Sequence, residues 1–121
     1  MISDEDRLLK RGEKVFVVER RLFEKDLRRH FVGEVEVCTA SGFRATGYPF
    51  YYHASAKNYV RKQQPRTRLF SFHSNLIINL LPHDCDIESV NYITSGQGTV
   101  LTDQNSLRID ISDPAADKYP S

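Results

Sequence analysis

Residues 31–52 read FVGEVEVCTASGFRATGYPFYY, and this stretch decides the fold class. At its start, apolar and acidic residues alternate, which predicts a strand with Phe31, Val35 and Val37 on one face. A strand with one solvated face is typical of an antiparallel sheet. The sequence therefore predicts antiparallel β structure as the basis of the fold.

Three features inside this stretch indicate the shape of the strands. Gly33, on the apolar face, indicates a bend or a close strand crossing. Ser41 and Gly42 mark a turn into a third strand, which is predicted over residues 43–52. Because proline cannot donate a ladder hydrogen bond, Pro49 inside this strand predicts an edge position or a bulge.

Further short β-type segments lie on both sides of this stretch and are separated by turn signals. Strands are predicted at residues 15–18, 67–72, 76–81, 87–93, 99–101 and 107–111. The second and third of these are expected to form a hairpin around residues 73–75. The segment 19–30 is compatible with a helix or with a long charged hairpin tip, and the strands on each side of it favour the tip.

The N-terminal residues carry a helix-start signal. Ser3 followed by Asp6 resembles a capping box and predicts a short helix over residues 3–11, ended by Gly12. One leading helix and about six or seven short strands predict a mostly β fold, either a small antiparallel β-barrel of the size typical of Sm, SH3 and OB barrels or a sandwich. With 121 residues, the chain is expected to form one domain over residues 1–113, followed by a flexible tail at 114–121.

Charge is distributed unevenly along the chain, although the formal net charge is only +1. Residues 37–83 contain six basic residues, no acidic residue and eight of the thirteen Phe and Tyr residues, whereas residues 84–121 contain seven acidic and two basic residues. Basic and aromatic side chains together are the chemistry that holds single-stranded nucleic acid. The middle of the chain therefore has the composition of a polyanion-binding surface.

From this composition we expect a non-enzymatic protein that binds RNA or single-stranded DNA by phosphate neutralisation and base stacking. In the third strand, Tyr48, Phe50 and Tyr52 share one face, Tyr51 and His53 share the other, and one of the two faces must pack into the core. The candidate binding residues are Arg44, Tyr52, Lys57, Tyr59, Arg61, Lys62, Arg66 and Arg68.

The same basic and aromatic residues have a second interpretation. Aromatic residues at every second position are also typical of a sheet face that packs into a core, with lysine and arginine in solvated loops. The basic middle could also pair with the acidic C-terminal third, within one chain or between chains. The alternative function is therefore a structural or protein-interaction module that forms a homo-oligomer, and self-association is expected in either case.

Enzymatic and metal-dependent functions have little support in the sequence. It contains no phosphate-binding glycine loop, dinucleotide fingerprint or nucleophile elbow. The run His83-Asp84-Cys85-Asp86 offers four possible metal ligands, but their spacing is too tight for a typical zinc pair. We therefore expect no catalytic residues, no metal and no cofactor, and Cys85 is expected to be a small buried apolar residue.

The sequence also bears on location. No apolar segment reaches the roughly 18–20 residues needed to cross a bilayer, and the first ten residues lack the apolar region of a signal peptide. A cytoplasmic protein that does not associate with membranes is therefore expected. In a reducing cytosol, Cys38 and Cys85 are expected to be free thiols.

One short motif adds a family resemblance. Tyr51-Tyr52-His53-Ala54 is similar to the Tyr-Lys-His-Ala stretch of the Hfq family, with Tyr52 in place of the lysine. A short leading helix followed by bent strands also resembles the Sm-like and Hfq-like barrels, although here several strand-like segments follow the motif. The resemblance implies a ring-shaped homo-oligomer that binds RNA, with His53 near the pore.

Overall fold

The described part of the chain forms two antiparallel sheets, which confirms the prediction of a mostly β protein. The computed structural model describes residues 6–20, 29–53, 55, 58–73, 75–95 and 98–110. Its strands are β1 (Lys14–Glu19), β2 (Arg29–Cys38), β3 (Gly42–His53), β4 (Asn58–Arg61), β5 (Arg66–Ser71), β6 (Leu76–Leu80), β7 (Asn91–Ser95), β8 (Gly98–Thr102) and β9 (Arg108–Asp110), with a short 3-10 helix at Ile87–Ser89.

The larger sheet is arranged around β3. Its strand order is β4-β3-β2-β1-β6, and β5 also pairs with β3. Along one side β3 pairs with β2, whereas on the other side its first half pairs with β5 and its second half with β4. The smaller sheet has the order β7-β8-β9. The long third strand predicted from the sequence is therefore the centre of the larger sheet.

The larger sheet is curled, and its described strands do not close into a barrel. A flat sheet would place β5 and β6 about 19 Å apart, because four strand spacings separate them. Phe70 of β5 and Ile78 of β6 nevertheless contribute to one apolar cluster, and only residues 72–75 connect the two strands. Within the described residues no ladder joins β5 to β6, so these residues show two antiparallel sheets and no closed barrel, and the predicted hairpin between these strands is wrong. Each strand has another partner, β3 for β5 and β1 for β6.

Two apolar cores lie on the two faces of the larger sheet. The first core consists of Leu9, Val15, Val17, Phe31, Val35, Cys38, Phe43, Ala45 and Phe70. The second core lies between the two sheets and consists of Phe16, Val18, Val32, Phe50, Cys85, Val90, Tyr92, Leu101 and Leu107. Strand β1 contributes to both, which explains why all four residues of its VFVV run are buried.

The backbones of β2 and β3 approach each other closely at a pair of glycines. Gly33 lies directly opposite Gly47 in the ladder. A Cβ atom on Gly33 would lie 2.8 Å from the carbonyl oxygen of Thr46, and one on Gly47 would overlap the backbone of Val32. Space therefore requires glycine at both positions, and the close approach predicted at Gly33 is confirmed.

Pro49 occupies a position that the sequence did not predict. It is fully buried in a central strand and forms neither an edge nor a bulge. It lies between the part of β3 that pairs with β5, which ends at Gly47, and the part that pairs with β4, which begins at Phe50. On the side of β3 that faces β4 and β5, the Pro49 carbonyl accepts a hydrogen bond from the Lys62 backbone N–H at 3.0 Å. The missing N–H of proline therefore falls where β3 changes partner.

The irregularity in the ladder lies in β2 instead. The register of β2 against β3 shifts between Val35 and Val37. This bulge turns Val37 away from the first core, so its side chain is 38% exposed rather than on the buried face predicted by alternation.

The N-terminal segment is not the predicted helix. Of residues 3–11, residues 6–11 are described, and from residue 7 to residue 12 the chain forms bends and a turn. Leu9 enters the first core, the Gly12 N–H donates to the Val35 carbonyl at 2.8 Å, and the Val35 N–H donates to the Glu13 carbonyl at 2.8 Å. These long-range contacts outweigh the local signal, because a helix of about two turns has little stability alone.

Other predictions are changed in part or lie outside the described residues. The strand predicted at 87–93 begins instead as the 3-10 helix, whose first turn is capped by Asp86, and β7 starts at Asn91. The prediction of either a helix or a hairpin tip mostly concerns residues 21–28. The prediction of a flexible tail concerns residues 114–121. Both segments lie outside the described residues.

Asp103 organises the turn between β8 and β9. Its side chain is 5% exposed, and its carboxylate accepts backbone N–H donors from Leu107, Asp86, Asn105 and Ser106 at 2.9, 2.9, 2.8 and 3.0 Å. Burial raises the pKa of Asp103, but these four donors more than offset that effect and hold the pKa well below its usual range. The ionised carboxylate therefore joins the smaller sheet to the segment before the 3-10 helix.

Replacing Gly47 with alanine tests the close backbone approach. Gly47→Ala is expected to lower the free energy of unfolding by about 3 kcal/mol, because the new methyl group must displace the β2 backbone. Gly12→Ala is the control, because Gly12 has a φ of 88° but open space around it, and a cost of about 1 kcal/mol is expected there. Urea unfolding followed by circular dichroism measures both. Equal costs would contradict the steric explanation.

Replacing Asp103 with asparagine tests the carboxylate. Because the folded-state pKa is lowered, the stabilisation is present above the unfolded-state pKa of about 3.9 and is lost as the pH falls below it. Asp103→Asn is expected to cost about 2 kcal/mol at pH 7, and the difference from wild type should shrink at pH 3. Urea unfolding at both pH values measures this, with the exposed Asp84→Asn as the control. A difference independent of pH would contradict the role of the charge.

Candidate nucleic-acid interface

The side chains of β3 alternate between the two faces of the larger sheet. Phe50 is buried in the second core, Tyr48 packs against that core, and the ring of Tyr52 lies edge-on to the ring of Tyr59 at 5.4 Å. Tyr51 and His53 have the opposite orientation, which they share with the first-core residues earlier in the strand. Tyr51 therefore lies beyond the end of the first core, where its side chain is half-buried.

Basic side chains gather around Tyr51. Arg68 of β5 donates a hydrogen bond from Nη2 to the Tyr51 hydroxyl at 2.7 Å, and Lys62 Nζ lies 5.4 Å from the centre of the Tyr51 ring. Arg29 of β2 is exposed and directly opposite Tyr51 in the ladder, so the two side chains share a face. Arg66 is exposed on the same face of β5 as Arg68. We call these five residues the Tyr51 surface.

The Tyr51 surface has further neighbours that affect its chemistry. Val60 of β4 lies directly opposite Tyr51 and is 46% exposed, so it extends the apolar contact area beside the ring. Glu19 of β1 lies opposite Arg29 and places one acidic side chain at the β1 border of the surface. In the described part of the chain, four cations and one ring therefore share this face, with Glu19 at its β1 border.

Arg61 is not part of this surface, although it precedes Lys62 in the chain. Its guanidinium Nη1 donates to the backbone carbonyls of Glu88 at 2.5 Å and Val90 at 3.1 Å, and the group lies 4.4 Å from the centre of the Tyr48 ring. These contacts connect β4 to the 3-10 helix and to the residue before β7. Arg61 therefore has a structural role.

Of the other predicted residues, Tyr59 belongs to the second core. Arg44 lies on the face of the larger sheet opposite the Tyr51 surface. The Tyr59 ring stacks on His30 at 4.4 Å and on Tyr92 at 4.6 Å. Arg44 forms a salt bridge with Glu36 at 3.1 Å. Tyr52 is half-buried against Tyr59, and Lys57 lies outside the described residues.

Three of the eight predicted residues, Lys62, Arg66 and Arg68, therefore come together, and sequence reasoning missed Arg29 and Tyr51. Two signals could have found the missing pair. Tyr51 is an even number of residues from Phe43, so the two side chains lie on the same face of β3. Tyr51 also lies opposite Arg29 once β2 and β3 are paired in register. The alternation of side chains along β3 did not by itself identify the exposed face, because β3 contributes side chains to both cores.

The opposite face of the larger sheet carries acidic side chains. Glu34, Glu36 and Glu88 line a groove of about 400 Å³. A hydrogen bond from the Thr46 hydroxyl lowers the pKa of Glu36, and the nearby Arg44 contributes to the same shift, so this carboxylate is ionised at neutral pH. The larger sheet therefore separates a basic surface from an acidic groove.

The described residues offer little other chemistry. Cys38 and Cys85 are buried free thiols, and burial, with a contribution from Asp103, raises the pKa of Cys85 to about 11, which leaves it neutral and unreactive. No group of three or more His, Cys, Asp or Glu side chains in the described ranges could hold a metal ion. In the same ranges no helix has the length and apolar character that a membrane crossing requires.

No protein-family model, curated protein or solved structure matches this chain. Function is therefore inferred from the geometry of the Tyr51 surface. The resemblance to the Sm-like and Hfq-like barrels stays a prediction.

Neutralising Arg61 and Lys62 separately distinguishes the structural cation from the surface cation. Arg61→Met is expected to lower the free energy of unfolding by about 2 kcal/mol, because it leaves two backbone carbonyls without their charged donor. Lys62→Met, one position further along, is expected to change it by less than about 0.5 kcal/mol. Urea unfolding of both variants measures this, and equal effects would contradict the separate roles.

Proposed function

We propose that this protein binds single-stranded RNA or DNA through the Tyr51 surface, without a catalytic step. The observation that carries the proposal is the pair of contacts at Tyr51, where Arg68 holds the hydroxyl and Lys62 lies over the ring. Arg29 and Arg66 add two exposed cations on the same face. This combination of one ring and several cations is the chemistry that single-stranded nucleic acid requires.

The cations supply affinity in this proposal. Lys62, Arg66 and Arg29 are exposed and can pair with successive phosphates, which releases counterions and makes binding fall with salt. Contacts to phosphates carry no base information. Binding is therefore expected to show little sequence preference.

The ring of Tyr51 supplies selectivity for unpaired bases. Because Arg68 fixes the hydroxyl, the ring is held in place before a ligand arrives, which reduces the entropy cost of stacking. A base that stacks on this ring must be unpaired and out of its own helix, and such a contact contributes about 1–3 kcal/mol. When Lys62 moves from the ring to a phosphate, it exposes the face on which the base stacks.

The resemblance to the Hfq family favours RNA over DNA within this proposal. His53 of the Tyr51-Tyr52-His53-Ala54 motif is exposed and has the same orientation in β3 as Tyr51. A strand that crosses the Tyr51 surface along β3 would therefore pass His53.

Charge reversal in the Tyr51 surface tests the proposal. The double variant Lys62→Glu, Arg66→Glu is expected to weaken binding of a labelled single-stranded RNA more than ten-fold and to reduce the slope of log K against log salt by about 1.4. Arg108→Glu, an exposed reversal in β9 on the smaller sheet, is the control and should have a small effect. Fluorescence anisotropy at several salt concentrations measures all three proteins, and the DNA counterpart is titrated in parallel.

Substitutions of Tyr51 separate stacking from charge. Tyr51→Ala is expected to weaken binding about 5–150-fold with an unchanged salt slope, whereas Tyr51→Phe keeps the ring and most of the affinity. Absence of binding by wild type at low salt, or equal losses in the double variant and in Arg108→Glu, would overturn the proposal.

A further inference from the structure

The face of the larger sheet opposite the Tyr51 surface carries two exposed apolar side chains, Leu69 and Val37, with Arg44 between them. Leu69 of β5 is 81% exposed, more than any other large apolar side chain in the described part of the chain. In the ladder it lies opposite Arg44 of β3, which in turn lies opposite Val37 of β2, a side chain that is 38% exposed. Removing Leu69 and Val37 from water is favourable, since burial of apolar area stabilises an association.

A groove lies beside the exposed leucine. It has a volume of about 220 Å³. Its apolar lining consists of Val37, Phe43, Leu69 and Phe70, and its polar lining of Thr39, Ser41, Arg44 and Ser71. An apolar cavity of about 150 Å³ is large enough for benzene, so this groove has room for one leucine side chain. Each molecule therefore presents a projecting leucine and, next to it, a groove that can receive one.

The charges beside Leu69 and Val37 are balanced. Arg44 and Glu36 form a salt bridge at 3.1 Å, and their side chains remain 47% and 39% exposed. We call Glu36, Val37, Arg44 and Leu69 the Leu69 patch. It contains one base and one acid, so two copies related by a two-fold axis can place Arg44 of each against Glu36 of the other.

The other charged surfaces cannot pair with their own copies in this way. The Tyr51 surface is basic, and the groove lined by Glu34, Glu36 and Glu88 is acidic. A two-fold contact brings the same surface of both molecules together, and like charges would then repel. Among these three, only the Leu69 patch carries both signs of charge, because Arg44 lies beside the Glu36 that the patch shares with the acidic groove.

We propose that the Leu69 patch is the contact of a two-fold symmetric homodimer, with Leu69 of each copy in the groove of the other. The occupant of the patch is therefore a second copy of this chain. The contact leaves the Tyr51 surface of each copy uncovered, because that surface lies on the other face of β5. It does not depend on whether the protein binds nucleic acid.

Charge introduction at Leu69 tests this contact. Sedimentation velocity over a concentration series is expected to show a monomer–dimer equilibrium for wild type, and Leu69→Glu is expected to raise the dimer Kd more than ten-fold. Leu69→Met keeps an apolar side chain of similar size and should retain the dimer. Leu80→Glu is the matched control, since Leu80 is also an exposed leucine, at 58%, in β6 at the other edge of the same sheet.

A charge swap tests the two-fold arrangement itself. The double variant Glu36→Arg, Arg44→Glu keeps the salt bridge within each copy and can pair across the axis with a second swapped copy. Mixed with wild type, it would set arginine against arginine and glutamate against glutamate. Swapped protein is therefore expected to dimerise with itself and not with differently labelled wild type, as measured by fluorescence energy transfer.

Several outcomes would overturn the proposal. These are a wild type that stays monomeric throughout the series, a Leu69→Glu dimer as tight as wild type, and free mixing of swapped and wild-type subunits. Urea unfolding of each variant confirms that the monomer is folded, so that a loss of dimer is assigned to the contact.

Discussion

The exchange of partners along β3 is the constraint on which the rest of the structure depends. One side of this twelve-residue strand pairs with β2, and the other side pairs first with β5 and then with β4. Pro49 lies at the exchange, where the ladder requires no donor. The two halves therefore have different neighbours. Next to β5, Phe43 and Ala45 pack into the first core, whereas next to β4, Phe50 packs into the second core and Tyr51 lies on the opposite face.

Alternation along β4 and the residues after it gives neighbouring cations opposite roles. Arg61 points toward the second core and connects β4 to the 3-10 helix through two carbonyls. Lys62 points to the other face and lies over Tyr51. A count of charges along the chain treats the two as equivalent, but Arg61 donates to carbonyls within the fold, whereas Lys62 is exposed to solvent. The charge excess of the central segment therefore overstates the free positive charge.

The sequence predicts the elements of this fold better than their arrangement. Alternation and turn residues identify the β strands, and Gly33 identifies the close approach of β2 to β3. The exposed face of β3 could not be predicted, because β1 and β2 are buried on both sides and a second sheet covers part of one face. The N-terminal segment and Asp103 depend on hydrogen bonds to residues distant in the sequence, such as Val35 and Asp86. Local propensity contains no information about such partners.

One six-residue strand contributes to both outer surfaces of the larger sheet. Alternate side chains of β5 place Arg66 and Arg68 on one face and Leu69 on the other, and in the described residues the strand is held by a single ladder. A ligand that restricted the motion of β5 from one face would lower the entropy cost of a contact on the other. Thermodynamic linkage makes this effect reciprocal, so each of two such contacts would strengthen the other without any change of shape.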